Sequence, residues 1–179
     1  DAFVSGSGTE NEVRKIELLL QQAHADLHDR KVVPAALAKE ESTGAPAAAM
    51  ELPDGKIVCG KTSDLLGASA ALLLNALKEL AGIDHELHVI SPDAIHPIQQ
   101  LKTKYLGSKN PRLHIDEILI ALSMSAATSD AARLALEQIP NIRGCQVHTS
   151  VMLSDVDVIS FRKLGVELTC EAKAEKKQK

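Results

Sequence analysis

The run Asn110-Pro111-Arg112-Leu113-His114-Ile115-Asp116-Glu117 gathers the densest set of reactive side chains in the chain. Arg112 can pair an anion through charge-assisted hydrogen bonds, His114 can move a proton near neutral pH, and Asn110 can orient either. Pro111 restricts the loop, while Asp116 and Glu117 suit the first turn of a helix, whose positive end favours carboxylates. If that helix has begun by His114, His114 and Glu117 share a face. The stretch predicts a polar pocket with His114 as the candidate catalytic group and Asn110, Arg112, Asp116 and Glu117 as candidate ligand-binding residues. The linear order contains neither a nucleophile–base pair nor a full ligand set, so it names no reaction.

A second stretch, Gly55-Lys56-Ile57-Val58-Cys59-Gly60-Lys61-Thr62, matches the phosphate-loop pattern G-x-x-x-x-G-K-[ST]. A working phosphate loop turns its amides onto phosphate oxygens, and the β-branched Ile57 and Val58 favour extended backbone instead. Pro53-Asp54-Gly55 supplies a turn one step earlier, so the expectation is a hairpin, with Ile57 and Cys59 on one face and Val58 on the other. ATP is therefore not supported by this stretch, and the cofactor is unknown. Lys61, Thr62 and Ser63 are read as the junction of a strand with a helix start, where an anion can sit, or where Thr62 or Ser63 simply caps the helix.

Cys145-x-x-His148 has the spacing of half a metal site, yet alternation along a strand sends the two side chains to opposite faces. No metal site is expected. His148 stays among the candidate ligand residues; His85 and His88 meet the same objection as metal ligands.

The elements that must position these groups follow from periodicity. Thr9-Glu10-Asn11-Glu12 fits a capping box, and Val13, Ile16, Leu19, Leu20 and Ala23 give the helix after it an apolar face. A second helix is expected near Arg30 to Ser42, with Pro34 in its first turn. AAAMEL and KIVCG then form the hairpin, followed by a helix from about Ser63 to Leu80, a strand LHVI, and a helix over Ile95 to Tyr105. Helices at about Ile115 to Ala127 and Asp130 to Ile139 precede a strand in GCQVHTSVML, a helix near Asp155 to Leu164 and a strand VELTC. The pattern predicts an α/β fold with a mixed sheet covered by helices on both faces. Residues 1–45 are expected to be an N-terminal helical segment, 46–171 the α/β domain, and 172–179 a disordered tail.

Composition narrows the function classes. A net charge of −4 over 179 residues, with only two Phe, one Tyr and no Trp, provides neither a basic footprint nor stacking platforms for nucleic acid. Three cysteines at unpaired spacings fit reduced thiols in the cytoplasm, and no apolar run is long enough to suggest a membrane span. The chain opens at Asp1, which leads to the expectation of a piece of a longer protein.

Several long blocks, ELPDGKIVCGKTSDLLGASAALLLNALKELAGI, ISPDAIHPIQQLKTKYLG, NPRLHIDEILIALSMSA, GCQVHTSVMLSDVD and FRKLGVELTCE, together resemble the carboxy-terminal region of the bacterial domain-of-unknown-function 1846 family, also called uncharacterised protein family 0371. The resemblance covers about Glu10 to Glu171. It implies a missing N-terminal region with its own glycine-rich, phosphate-loop-like segment, and a three-layer α-β-α architecture like that of the cytidine deaminases. Some members carry a peptidase label, which no residue here explains. The zinc signature of deaminases, H-x-E with P-C-x-x-C, is absent. Two readings follow: part of a small-molecule or nucleotide-dependent enzyme, or an assembly domain that packs on the missing region or on a second copy.

Overall fold

The computed structural model describes residues 30–174. The expected capping box and amphipathic helix after Thr9 lie outside the described residues. The first described element is helix α1 (Val32–Thr43), which carries Pro34 in its opening turn and ends at Gly44, whose φ of 67° is the left-handed conformation glycine adopts without strain.

Strands β1 (Ala47–Glu51) and β2 (Ile57–Lys61) form the expected antiparallel hairpin, with Met50 opposite Val58 and Ala49 opposite Cys59. The turn is closed by Leu52 N donating to Lys56 O at 2.9 Å and by Lys56 N donating to Asp54 Oδ1 at 3.0 Å, with Gly55 at φ 84°. The phosphate-loop match is therefore a turn and a strand. Gly60 within it is a packing glycine: a Cβ there would lie 2.5 Å from Leu72 Cα and 2.8 Å from the Ala71 carbonyl carbon. The backbone of the following helix crosses directly over it.

That helix, α2 (Ala68–Leu80), begins five residues later than its apolar pattern suggests. Ser63 Oγ accepts from Leu65 N and Leu66 N, a local turn that competes with helix, and the segment instead pairs with a distant partner. Leu113 N donates to Leu65 O at 2.9 Å and Gly67 N to Leu113 O at 3.3 Å, a short parallel bridge between Leu66 and Leu113. Helix α3 (Pro92–Gln100) starts on the cap Ser91 and runs into a widened turn, Leu101–Tyr105. Between α2 and α3, LHVI is irregular, contrary to the strand expected there; Val89 and Ile90 are buried in the main core while Leu87 and His88 are exposed, so burial came without a strand partner.

Helices α4 (Ile115–Ser125) and α5 (Asp130–Leu136) follow, then strand β3 (Gln146–Thr149), helix α6 (Asp155–Leu164) and strand β4 (Glu167–Cys170). The four strands are ordered β2-β1-β3-β4; β1 runs antiparallel to both neighbours and β3 pairs with β4 in parallel. Strands β2, β3 and β4 thus end at the same side of the sheet. Helix α1 covers one face, where Val32 and Ala36 pack on Ala49, Ile57 and Cys59. The other face, with Met50, Val58 and Val147, packs against Leu72, Leu73, Leu77, Leu113, Ile118 and Phe161. The fold is a mixed sheet with helices on both faces and a helix ahead of the sheet.

Candidate functional site

At the end of the sheet where β2 and β3 finish, three helix N-termini meet around a cleft of about 110 Å³. Its walls come from Gly67 to Ser69 at the start of α2, from Asn110 to His114 before α4, and from Val151 to Ser154 with Asp157 at the start of α6. Open α/β sheets place their ligands beyond the carboxyl ends of strands because the connecting loops and helix amides converge there.

His114 and Asp157, 43 positions apart, form the chemical centre. His114 Nδ1 lies 3.0 Å from Asp157 Oδ2, and Ile115 N donates to Asp157 Oδ1 at 2.9 Å. Ser154 caps α6 and its hydroxyl donates to Asp157 Oδ2 at 3.1 Å, so both carboxylate oxygens are occupied. Asp157 is buried at the meeting of two helix starts, where positive partial charge favours a carboxylate. The hydrogen bond that His114 donates to Asp157 holds the His114 pKa above the ordinary imidazole value, against the opposing effect of burial; the Asp157 charge adds to the rise, Lys102 lowers it and Glu117 raises it. Through Nδ1 the ring is oriented by a carboxylate. Its Nε2 has no partner among the described residues, the arrangement that lets an imidazole exchange a proton with a ligand.

The loop that presents His114 is pinned from below. Lys102, 5% exposed, donates to Glu117 Oε2 at 2.7 Å and to Arg112 O at 2.6 Å, and Glu117 Oε2 also accepts His114 N at 2.8 Å. Asn110 Oδ1 accepts Arg112 N, and Arg112 Nε donates to Ser63 O at 2.8 Å. A second cleft, of about 350 Å³, adjoins the first and shares Thr62, Arg112 and Val151 with it; Ser63, Asp64, Glu40 and Lys173 are among its other lining residues.

The structure therefore brings Thr62, Asn110, Arg112 and His114 together, with Ser63 in the adjoining cleft. The expectation that Lys61, Thr62 and Ser63 mark a helix start is corrected: the helix begins at Ala68, and Thr62 N is bound to Pro46 O. Lys61 ends β2 exposed and lines neither cleft. Glu117 acts as a brace for the His114 backbone, and Asp116 is exposed with its carboxylate on Glu117 N. His148 lies on the α1 side of the sheet, bonded to Thr169 at 2.8 Å and Glu171 at 3.2 Å, away from the cleft. Cys145 packs in the core on the opposite side of the sheet from His148. Among the described residues, no group of three His, Cys, Asp or Glu side chains is arranged to hold a metal ion.

Two contributors were hidden in the sequence. Asp157 sits in a helix that reads as amphipathic, with no local sign of a histidine partner. Ser69 sits in an apolar run, and only the glycine before Ala68 hinted that the helix would start beside it.

The model for the domain described as "Domain of unknown function DUF1846, C-terminal" matches residues 28–179. Among curated relatives, a UPF0371 protein of Corynebacterium glutamicum is 57% identical over 163 residues, covering 91% of this chain and 33% of that protein. A UPF0371 protein of Corynebacterium efficiens is 58% identical over the same length and shares, and one of Streptococcus uberis is 49% identical over 160 residues, 89% of this chain and 32% of its own. The chain spans about a third of the length of the curated relatives it matches. No helix among the described residues is long and apolar enough to cross a membrane.

Proposed function

This chain belongs to the DUF1846 family, and on that premise we propose that its cleft is the acid–base part of the active site of a cytoplasmic bacterial enzyme acting on a small molecule. The observation that carries this reading is the His114–Asp157 pair, buried on its carboxylate side and open to the cleft on its imidazole side. Asp157 positions the ring and stabilises the imidazolium; His114 Nε2 takes a proton from a water or a substrate hydroxyl and returns it to the leaving group. Hydrolysis is the reaction class this pair serves most directly. The remainder of the full-length protein completes the site, a reading supported by the chain spanning about a third of the length of its curated relatives.

The test is turnover of a metabolite extract by the full-length protein, followed by mass spectrometry. A substrate consumed by the wild type should be consumed about 10²-fold more slowly, or worse, by His114→Gln and by Asp157→Asn. Wild-type turnover by both folded variants would remove the acid–base role.

A second reading, an assembly domain, is favoured by Ile120 and Met124, which lie one turn apart on α4 and are 62% and 72% exposed. On that reading the α4 surface packs on the rest of the full-length protein, and Ile120→Lys with Met124→Lys lowers its thermal stability while leaving this domain folded.

A further inference from the structure

The first turn of α2 holds a cluster of buried donors that lack acceptors. The amides of Ala68, Ser69 and Ala70 have no acceptor among the described residues, and Gly67 at the helix start offers no side chain to cap them. The three residues are 6%, 2% and 1% exposed. Ser69 Oγ is likewise buried without a partner, and Ser69 lines the 110 Å³ cleft beside His114 and Asp157. Buried donors are nearly always satisfied because leaving them dry is costly, and helix N-terminal amides carry positive partial charge. A helix of 13 residues develops that charge fully.

Resting on the reading of this cleft as an active site, we propose that the start of α2 binds a phosphoryl group of the substrate, its oxygens accepting from the amides of Ala68 to Ala70 and from Ser69 Oγ. A phosphoryl group has enough terminal oxygens to meet four donors at once, which a carboxylate does less well. The rest of the substrate extends past Thr62, Arg112 and Val151 into the 350 Å³ cleft. Asp157 faces the same space, but its oxygens are engaged by Ile115 N, His114 and Ser154, which turn the carboxylate's acceptors away from an incoming anion. The group is thus placed beside the imidazole that would move the proton.

Gly67 allows a direct test. Its φ of −67° and ψ of 160° suit any residue, and a Cβ there would meet only Leu113 O, at 3.8 Å. Gly67→Asp therefore supplies a built-in carboxylate cap for the same amides. Calorimetric titration of the full-length protein with inorganic phosphate, phenyl phosphate and acetate at equal ionic strength is the measurement. Phosphate should bind the wild type more tightly than acetate, and Gly67→Asp should weaken it by about tenfold or more while the melting temperature holds or rises. Ser69→Ala should also weaken phosphate, and it decides the matter if Gly67→Asp fails to fold. His114→Gln should keep phosphate binding, so loss of turnover with phosphate binding intact separates the cradle from the acid–base step. Tighter binding of phenyl phosphate supports an organic phosphate that reaches the larger cleft; equal affinity supports a free phosphoryl group. The proposal fails if phosphate binds no better than acetate, or if folded Gly67→Asp or Ser69→Ala keeps full phosphate affinity.

Discussion

His114 and Asp157 face each other at 3.0 Å across the starts of two different helices, and the carboxylate that holds the ring also holds the amide of the next residue, Ile115. The pair is thus both a structural joint between α4 and α6 and the polar centre of the cleft. Its raised His114 pKa means that the folded protein binds the proton more tightly than the unfolded chain. The contribution of the pair to stability is full below the unfolded imidazole value, about 6.5, and is lost as pH rises through the higher folded value. Urea unfolding across that window should show this loss in the wild type and not in His114→Gln; a histidine proton titration should show the His114 pKa falling in Asp157→Asn. An unchanged His114 titration in that variant would contradict the assignment of the hydrogen bond as its main cause.

Lys102 makes a sharper prediction about how the loop carrying His114 is held. Lys102→Met leaves Glu117 and Arg112 O without their shared buried cation, and should cost about 3 kcal/mol, the low end for breaking a buried pair because Glu117 keeps some access to water. Pairing it with Glu117→Gln should recover part of that loss. A Lys102→Met protein as stable as the wild type in urea would show that the brace contributes nothing.

Gly60 should tolerate no side chain. Gly60→Ala forces a methyl into the α2 backbone at Ala71 and Leu72, and the overpacking should cost about 1–3 kcal/mol or more. The check is the urea midpoint. If the match to the phosphate-loop pattern had reflected nucleotide binding, the variant would instead fold normally and lose only a ligand.

Ser69→Ala should behave in the opposite way. Its hydroxyl has no partner in the described structure, so removing it relieves a buried unsatisfied group and adds a better helix former, with a gain of about 1 kcal/mol. A gain in melting temperature together with weaker phosphate binding marks a residue kept for function at the expense of stability. A loss of stability would show that Ser69 has a structural role.

Local patterning made some of this fold legible and hid the rest. The hairpin was readable because Pro53-Asp54-Gly55 forces a turn between two extended runs, and the faces of Ile57, Val58 and Cys59 follow from strand alternation. The α6 and β4 boundaries, Asp155–Leu164 and Glu167–Cys170, were readable for similar local reasons. The start of α2 was not, because Leu65 to Gly67 prefer a bridge to Leu113, a partner some fifty positions away. LHVI looked like a strand because burial of Val89 and Ile90 leaves the same apolar signature with or without a neighbour in a sheet. Within the site, Asn110, Arg112 and His114 announced themselves as a polar loop, whereas Asp157 and Ser69 acquire meaning only through tertiary contacts. Lys61 and His148 were plausible by type and misplaced by geometry: one ends a strand in the open, and the other belongs to a polar network on the far face of the sheet.

The bridge between Leu66 and Leu113 couples the phosphoryl cradle to the histidine. Leu66 is two residues ahead of α2 and Leu113 is next to His114, so the backbone hydrogen bonds between them tie the two walls of the cleft as rungs tie the rails of a ladder. Neither wall can open alone without breaking those rungs. Amide exchange at Gly67 and at Leu113 should therefore slow together when an anion binds, and the spacing between the α2 amides and the His114 ring is set by the chain itself before any anion arrives.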